Sequence, residues 1–202
     1  MSEPVADGSA GWSALHHGID PRRLRIVHGW LRAMWWLARP LVRLRVPPLG
    51  LTVLGALVAI DAVLLAASQP WVALALVLLS VLCDGLDGAV ALLAGRVSVR
   101  GAYADRIADR VADAAFAAVL WRCGAPWPLA LAAGMLSLVH EASRELRGGR
   151  LLARLTVAER PTRTICAALA CGSAGVSSAT WPPTVCASIW AALAVIGLAQ
   201  LR

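Results

Sequence analysis

Asp84-Gly85-Leu86-Asp87-Gly88-Ala89-Val90-Ala91, followed closely by Gly101, Asp105 and Asp109, sets four carboxylates inside or beside a long apolar region. An ionisable side chain in such a region is costly, and by default it marks function. Four of them at helical spacings make a site that something cationic must fill. The chain has 202 residues, of which 59% are hydrophobic. That is too apolar for a soluble domain of this size. The net charge is +7, and every one of the 19 basic residues is arginine. These arginines fall between apolar runs and not along a soluble face, so the charge fits an anionic membrane surface and excludes nucleic acid as the expected partner.

From residue 48 onward, hydropathy gives about six spans, near 49–68, 71–94, 101–121, 127–146, 163–180 and 183–201. Each approaches the ~20 residues needed to cross the hydrocarbon. Pro70, Pro126, Pro128, Pro182 and Pro183 punctuate the connections. The connections at 69–70, 122–126 and 181–183 carry one arginine, Arg122, whereas the opposite side carries the N-terminal arginines, Arg96, Arg100 and the run from Arg144 to Arg163. The positive-inside rule then places that side, and with an even number of spans both termini, in the cytoplasm. The expected fold class is an all-α membrane protein of six transmembrane helices.

Ahead of the spans, residues 1–19 are rich in Ser, Gly, Ala and Pro and are expected to be disordered, with no signal-peptide core. Asp20 and Pro21 can start a helix. Over 20–45 a tryptophan-rich apolar sector is interleaved with seven arginines. Each arginine would cost ~2.5–3.5 kcal/mol at the centre of a membrane helix, so 20–45 reads as an interfacial amphipathic helix and 46–202 as the six-helix transmembrane domain. The five cysteines lack metal-binding spacings and read as small buried apolar residues. Asp61, alone in the first span, is expected to hydrogen-bond to a neighbouring helix.

Asp87 lies eight residues before the expected end of the second span, and Asp109 eight residues into the third, each ~12 Å along its helix. Asp84 and Asp87 are spaced i, i+3 and Asp105 and Asp109 i, i+4, so each pair shares a face; Asp113 extends the second stripe. Carboxylates brought this close cannot all stay ionised unaided. Mg²⁺ or Mn²⁺, as hard oxygen-seeking cations, would resolve the repulsion, and two such ions could clamp phosphate oxygens. Pairing with Arg96, Arg106 and Arg110 is the plainer alternative. However, Asp105–Arg106 and Asp109–Arg110 are sequence neighbours that point in different directions, so local pairing does not explain the stripe.

The pattern Asp84-x-x-Asp87-Gly88-x-x-Ala91, an eight-residue gap at 93–100, then Gly101-x-x-x-Asp105-x-x-x-Asp109, resembles the signature of the CDP-alcohol phosphatidyltransferase family. The six spans, the N-terminal helix and Glu159-Arg160-Pro161-Thr162-Arg163 before the fifth span are similar to that family as well. One position departs: Leu92 stands where the family has arginine, and Arg96 lies one turn further on. The resemblance implies an integral-membrane transferase that moves a phosphatidyl or related group from a CDP-linked lipid, such as CDP-diacylglycerol, to an alcohol acceptor, with loss of CMP. Carried over by position, Asp84, Asp87, Asp105 and Asp109 would hold two ions of Mg²⁺ or Mn²⁺, and Asp109 would also be the general base. Asp84, Gly88, Ala91, Gly101 and Arg96 would surround the nucleotide. Arg160, Arg163 and Arg144 are candidates for a phosphate on the acceptor, such as inositol phosphate or glycerol phosphate, because arginine offers bidentate geometry. His140, Glu141 and Glu145 are candidates for the pocket lining. The resemblance also implies a homodimer. The competing expectations are a family member impaired at Leu92, a membrane ion-binding or transport protein, and an aspartate-rich prenyltransferase, which would need a second aspartate cluster.

Overall fold

The computed structural model describes residues 25–147 and 156–201. The segment expected to be disordered and the Asp20–Pro21 helix start lie outside the described residues. Seven helices and no strand occur among the described residues: α1 Arg25–Arg43, α2 Pro48–Leu65, α3 Pro70–Leu93, α4 Val99–Arg122, α5 Trp127–Arg147, α6 Arg160–Val176 and α7 Trp181–Gln200. α2 to α7 follow the six expected spans to within a few residues. Proline in the first turn of α2, α3, α6 and α7 explains why these boundaries are sharp, since its missing N–H is not needed there and its φ suits the helix.

By length and composition α2, α3 and α7 are apolar enough to cross a membrane. α4 has the length, but Asp105, Arg106, Asp109, Arg110 and Asp113 lower its hydropathy. The outward faces carry exposed Leu54, Leu57, Leu64, Leu78, Leu131 and Ile196, an apolar exterior suited to lipid contact.

The interior is built from small residues. Ala59, Ala62, Ala73, Ala115, Ala133, Ala167, Ala170 and Ala187 are buried around Phe116 and Trp190. Without a hydrophobic drive between helices in lipid, close approach of small residues is what supplies packing. All five cysteines are buried and free, as small apolar residues would be. The Trp190 indole donates to Ser137 Oγ at 2.6 Å, tying α7 to α5. Asp61 departs from expectation: it lies exposed on α2, four residues from the helix end, and among the described residues no hydrogen bond ties it to a neighbouring helix.

Two features position the functional stretch. α3 is terminated just before Gly95, whose φ of +62° is left-handed. Arg96 N–H donates to Ala91 O at 2.9 Å and Gly95 N–H to Leu92 O at 3.2 Å, the paired bonds of a glycine-terminated helix. α4 then starts at Ser98, whose Oγ accepts from Gly101 N–H at 3.1 Å. The turn is therefore short and capped on both sides. Beyond it α3 and α4 make few direct contacts, while α2 packs on both. α1 closes the outer side of α3: Met34 and Ala38 are buried against Leu86, Ala89 and Val90. Gly85 permits this, since a Cβ there would lie 2.9 Å from Met34 Sδ.

Gly197 of α7 is a second close approach. A Cβ at this position would fall 2.5 Å from Ala158 Cβ and 3.1 Å from the His140 ring. Gly197→Val is expected to destabilise the fold by about 1–3 kcal/mol through overpacking. A thermal-unfolding midpoint in detergent equal to that of the parent would show that this contact is not tight.

Candidate active site

The site forms where the C-terminal end of α3 and the N-terminal ends of α4 and α6 converge. Asp84 comes from α3, Asp105 and Asp109 from α4, and one carboxylate oxygen of each lies within 4.8 Å of the others. All three are half-buried. Arg160, the first residue of α6, reaches between them and donates through Nη1 to both Asp84 Oδ1 and Asp109 Oδ1. α3 and α4 therefore splay, and a guanidinium from α6 lies between their carboxylates. This follows from charge. Three carboxylates at this spacing repel, and a half-buried cation offsets that repulsion more cheaply than closer packing could.

Asp87 is not in this trio. It is buried, and Thr52 of α2 donates to its Oδ2 at 2.5 Å. Gly88 faces open space, with no atom within 4 Å of where a Cβ would stand, which leaves room for a ligand beside Asp84 and Asp87. Ala91 is half-buried, and Gly101 is engaged in the α4 cap. Arg96 is exposed just beyond the end of α3.

The arginines expected to bind the acceptor separate into different roles. Arg160 is at the trio. Arg163 is 2% exposed and is held by Asp113 Oδ2, by Glu141 Oε1 at 2.6 Å and by Ala158 O at 3.0 Å. Its charge is thus matched inside the bundle. This differs from the expected phosphate contact, and the reason is that two carboxylates from α4 and α5 already enclose it. Arg144 lies 3.2 Å from Glu159 and 3.8 Å from Glu141. Glu145 pairs with Arg110 at 3.0 Å, and Arg110 also approaches Asp113 at 3.5 Å. His140 is fully buried, with Nε2 3.1 Å from Thr156 Oγ1. Thr156 in turn bonds to Glu159 through N–H at 3.0 Å and Oγ1 at 3.2 Å. These contacts lock the 156–159 segment onto α5 and so set where Arg160 begins α6. Arg106, offered as a partner for the aspartates, instead stacks 5.3 Å from the Tyr103 ring centre.

Sequence reading missed Thr52 and the pairing of Asp113 with Arg163. A threonine in an apolar span, one turn after Pro48, was the available signal for the first. For the second, partners 50 residues apart leave no local pattern.

The donor set fits a hard divalent cation. It is entirely carboxylate oxygen, and the presence of the Arg160 guanidinium on two of the three shows that the spot favours positive charge. A magnesium or manganese ion would be held by Asp84, Asp105 and Asp109.

Comparison with known proteins accords with this geometry. The family model described as CDP-alcohol phosphatidyltransferase matches residues 45–199. A 56-residue segment is 43% identical to archaetidylinositol phosphate synthase of Aeropyrum pernix, covering 28% of this chain and 29% of that protein. The match therefore spans under a third of that relative. Among solved structures, phosphatidylinositol phosphate synthase of Mycobacterium tuberculosis, in complex with manganese and citrate, is similar with a TM-score of 0.65 and 25% identity. The similarity covers 83% of this chain and 86% of that one.

Removing one partner of a buried pair leaves the other charge uncompensated, at a typical cost of about 3–5 kcal/mol. Arg163→Ala is expected to destabilise by that order, and adding Asp113→Ala is expected to restore part of the loss. Denaturant unfolding of the single and double variants checks this; additive losses would mean the two residues do not act as a pair.

Proposed function

This chain belongs to the CDP-alcohol phosphatidyltransferase family, and on that premise we propose that it transfers a phosphatidyl or related group from a CDP-linked lipid to an alcohol, releasing CMP. The observation that carries the proposal is the convergence of Asp84, Asp105 and Asp109 with Arg160 at one point, beside the open face of Gly88. The acceptor is a phosphorylated polyol, inositol phosphate or glycerol phosphate. The names of the two relatives support the former, and Arg160 supplies an always-charged donor for its phosphate.

The acceptor hydroxyl oxygen forms a bond to the lipid-bearing phosphorus as the bond from that phosphorus to CMP breaks. Asp109 takes the hydroxyl proton. Asp84 and Asp105, with Asp87 alongside, would hold two divalent metal ions. When bound, divalent ions neutralise the diphosphate and the departing CMP. Gly88, Ala91 and Gly101 leave the nucleotide space to approach the backbone, and Arg96 takes the place of the arginine that Leu92 replaces. Arg163 and Arg144 act on the acceptor through the positions of Arg160 and Glu159.

We further propose that all of α2 to α7 cross the membrane with the site and both termini on the cytoplasmic side. Arg45, Arg96, Arg100, Arg144 and Arg160 at the same helix ends support this. α1 is the amphipathic helix at the interface, its exposed Trp36 reaching toward lipid. Residues 46–202 are the catalytic domain, and the working assembly is a homodimer.

Purified protein in detergent, given CDP-diacylglycerol, Mn²⁺ or Mg²⁺ and a panel of acceptors, is expected to release CMP with a phosphorylated polyol and to stop when chelator is added. No CMP release with any acceptor, or full activity in excess chelator, contradicts the proposal. Asp109→Asn keeps the shape of the side chain but is not a base, and turnover is expected to fall about 10²–10⁴-fold. Unchanged turnover would remove Asp109 from the proton transfer.

A further inference from the structure

Asp87 differs from Asp84, Asp109 and Asp113 on the same two helices. Asp84 and Asp109 share Arg160, and Asp113 has Arg163 and Arg110. Asp87 is more buried than Asp84, Asp105 or Asp109, at 6% exposure, yet among the described residues no arginine comes within ion-pair distance of it. Its side chain instead accepts from the Thr52 hydroxyl at 2.5 Å across the α2–α3 contact.

Thr52 Oγ1 also lies 3.2 Å from Pro48 O, within its own helix. A hydroxyl has one proton and can donate it to one acceptor at a time. The shorter contact to a carboxylate is the charge-assisted kind and prevails over the longer one to a neutral carbonyl. The hydroxyl is therefore committed to Asp87 Oδ2. That fixes the carboxylate's rotation about its last bond and settles which oxygen is turned away from α2. Thr52 itself has little freedom: it is buried, β-branched and set in a helix. One turn further along, Ser80 Oγ donates to Gly55 O at 2.9 Å, so α2 is clamped to α3 on both sides of the contact. A neutral hydroxyl does not offset the charge of a buried carboxylate, which is compensated either by a proton or by a nearby cation. Asp87 is one helical turn from Asp84 on the same face of α3, where the trio already gathers positive charge.

We propose that Thr52 is a positioning residue for the metal site: it holds Asp87 so that its second oxygen serves as the fourth carboxylate ligand beside Asp84, Asp105 and Asp109. The inference rests on the metal-dependent reading above. Hydrogen-bonding partners of metal ligands of this kind are worth about 10–100-fold in metal affinity.

The test is Mn²⁺ binding to the purified full-length protein in detergent, read from loss of the free-ion electron paramagnetic resonance signal, without substrate. Thr52→Val preserves shape and burial and removes the hydroxyl, and is expected to weaken Mn²⁺ binding about 10–100-fold. Thr52→Ser keeps a hydroxyl and is expected to bind within a few-fold of the parent. Thermal unfolding of the metal-free variants separates lost folding from lost affinity. Should Thr52→Val not fold, the smaller Thr52→Ala carries the comparison. If the parent takes up Mn²⁺ and the hydroxyl-free variants bind as tightly, the role of Thr52 is overturned and the metal site stands. If the parent takes up no Mn²⁺, the metal reading falls, and the role of Thr52 with it.

Discussion

Carboxylates whose oxygens lie within 4.8 Å of one another, at the edge of an apolar bundle, cannot share that space unless positive charge is brought among them. Arg160 brings it, from a helix distant in sequence from both carboxylate-bearing helices. Much of the architecture serves this one contact. α6 must begin where its first residue reaches Asp84 and Asp109. The 156–159 segment fixes that start through Thr156, Glu159 and His140. Arg163, one turn along, anchors the same helix to Asp113 and Glu141. α7 supports the segment from beneath, where Gly197 lets Ala158 approach.

The site is therefore held by two kinds of interaction with different consequences. Small-residue packing of α2 to α7 sets helix positions broadly and tolerates adjustment. The ion pairs are discrete: each arginine is committed to particular carboxylates, and exchanging partners would leave charge buried and unmatched. This explains why basic residues so close in sequence differ in role. Arg160 faces an acidic cluster with open space beside Gly88, and a phosphate or a metal can compete there. Arg163 is enclosed and serves to place the helix.

The helices were legible from sequence because the physics that sets them is local. Apolar runs of membrane length, prolines at helix starts and Gly95 past the end of α3 each act within a few residues. The aspartate stripe was legible for the same reason, since i, i+3 and i, i+4 spacing defines a face. Partner choice was not. Periodicity puts Asp113 on the stripe, but it does not say that Arg163 will reach it from 50 residues away. Nor does it say that Thr52 will take Asp87 or that α3 and α4 will splay. Those outcomes depend on which helices become neighbours and on the burial that results. Arg163 is an example: its sequence position puts an arginine beside the site, and only the packing of α4, α5 and α6 gives it Asp113 and Glu141 as partners.

The metal is the centre of the functional reading, and locating it is the most direct measurement. Crystals grown with Mn²⁺ and measured at the manganese absorption edge are expected to show anomalous density about 2 Å from carboxylate oxygens of Asp84, Asp105 and Asp109, with Arg160 displaced from at least one of them. Density confined to other sites, or none at all with the Arg160 contacts intact, would contradict it.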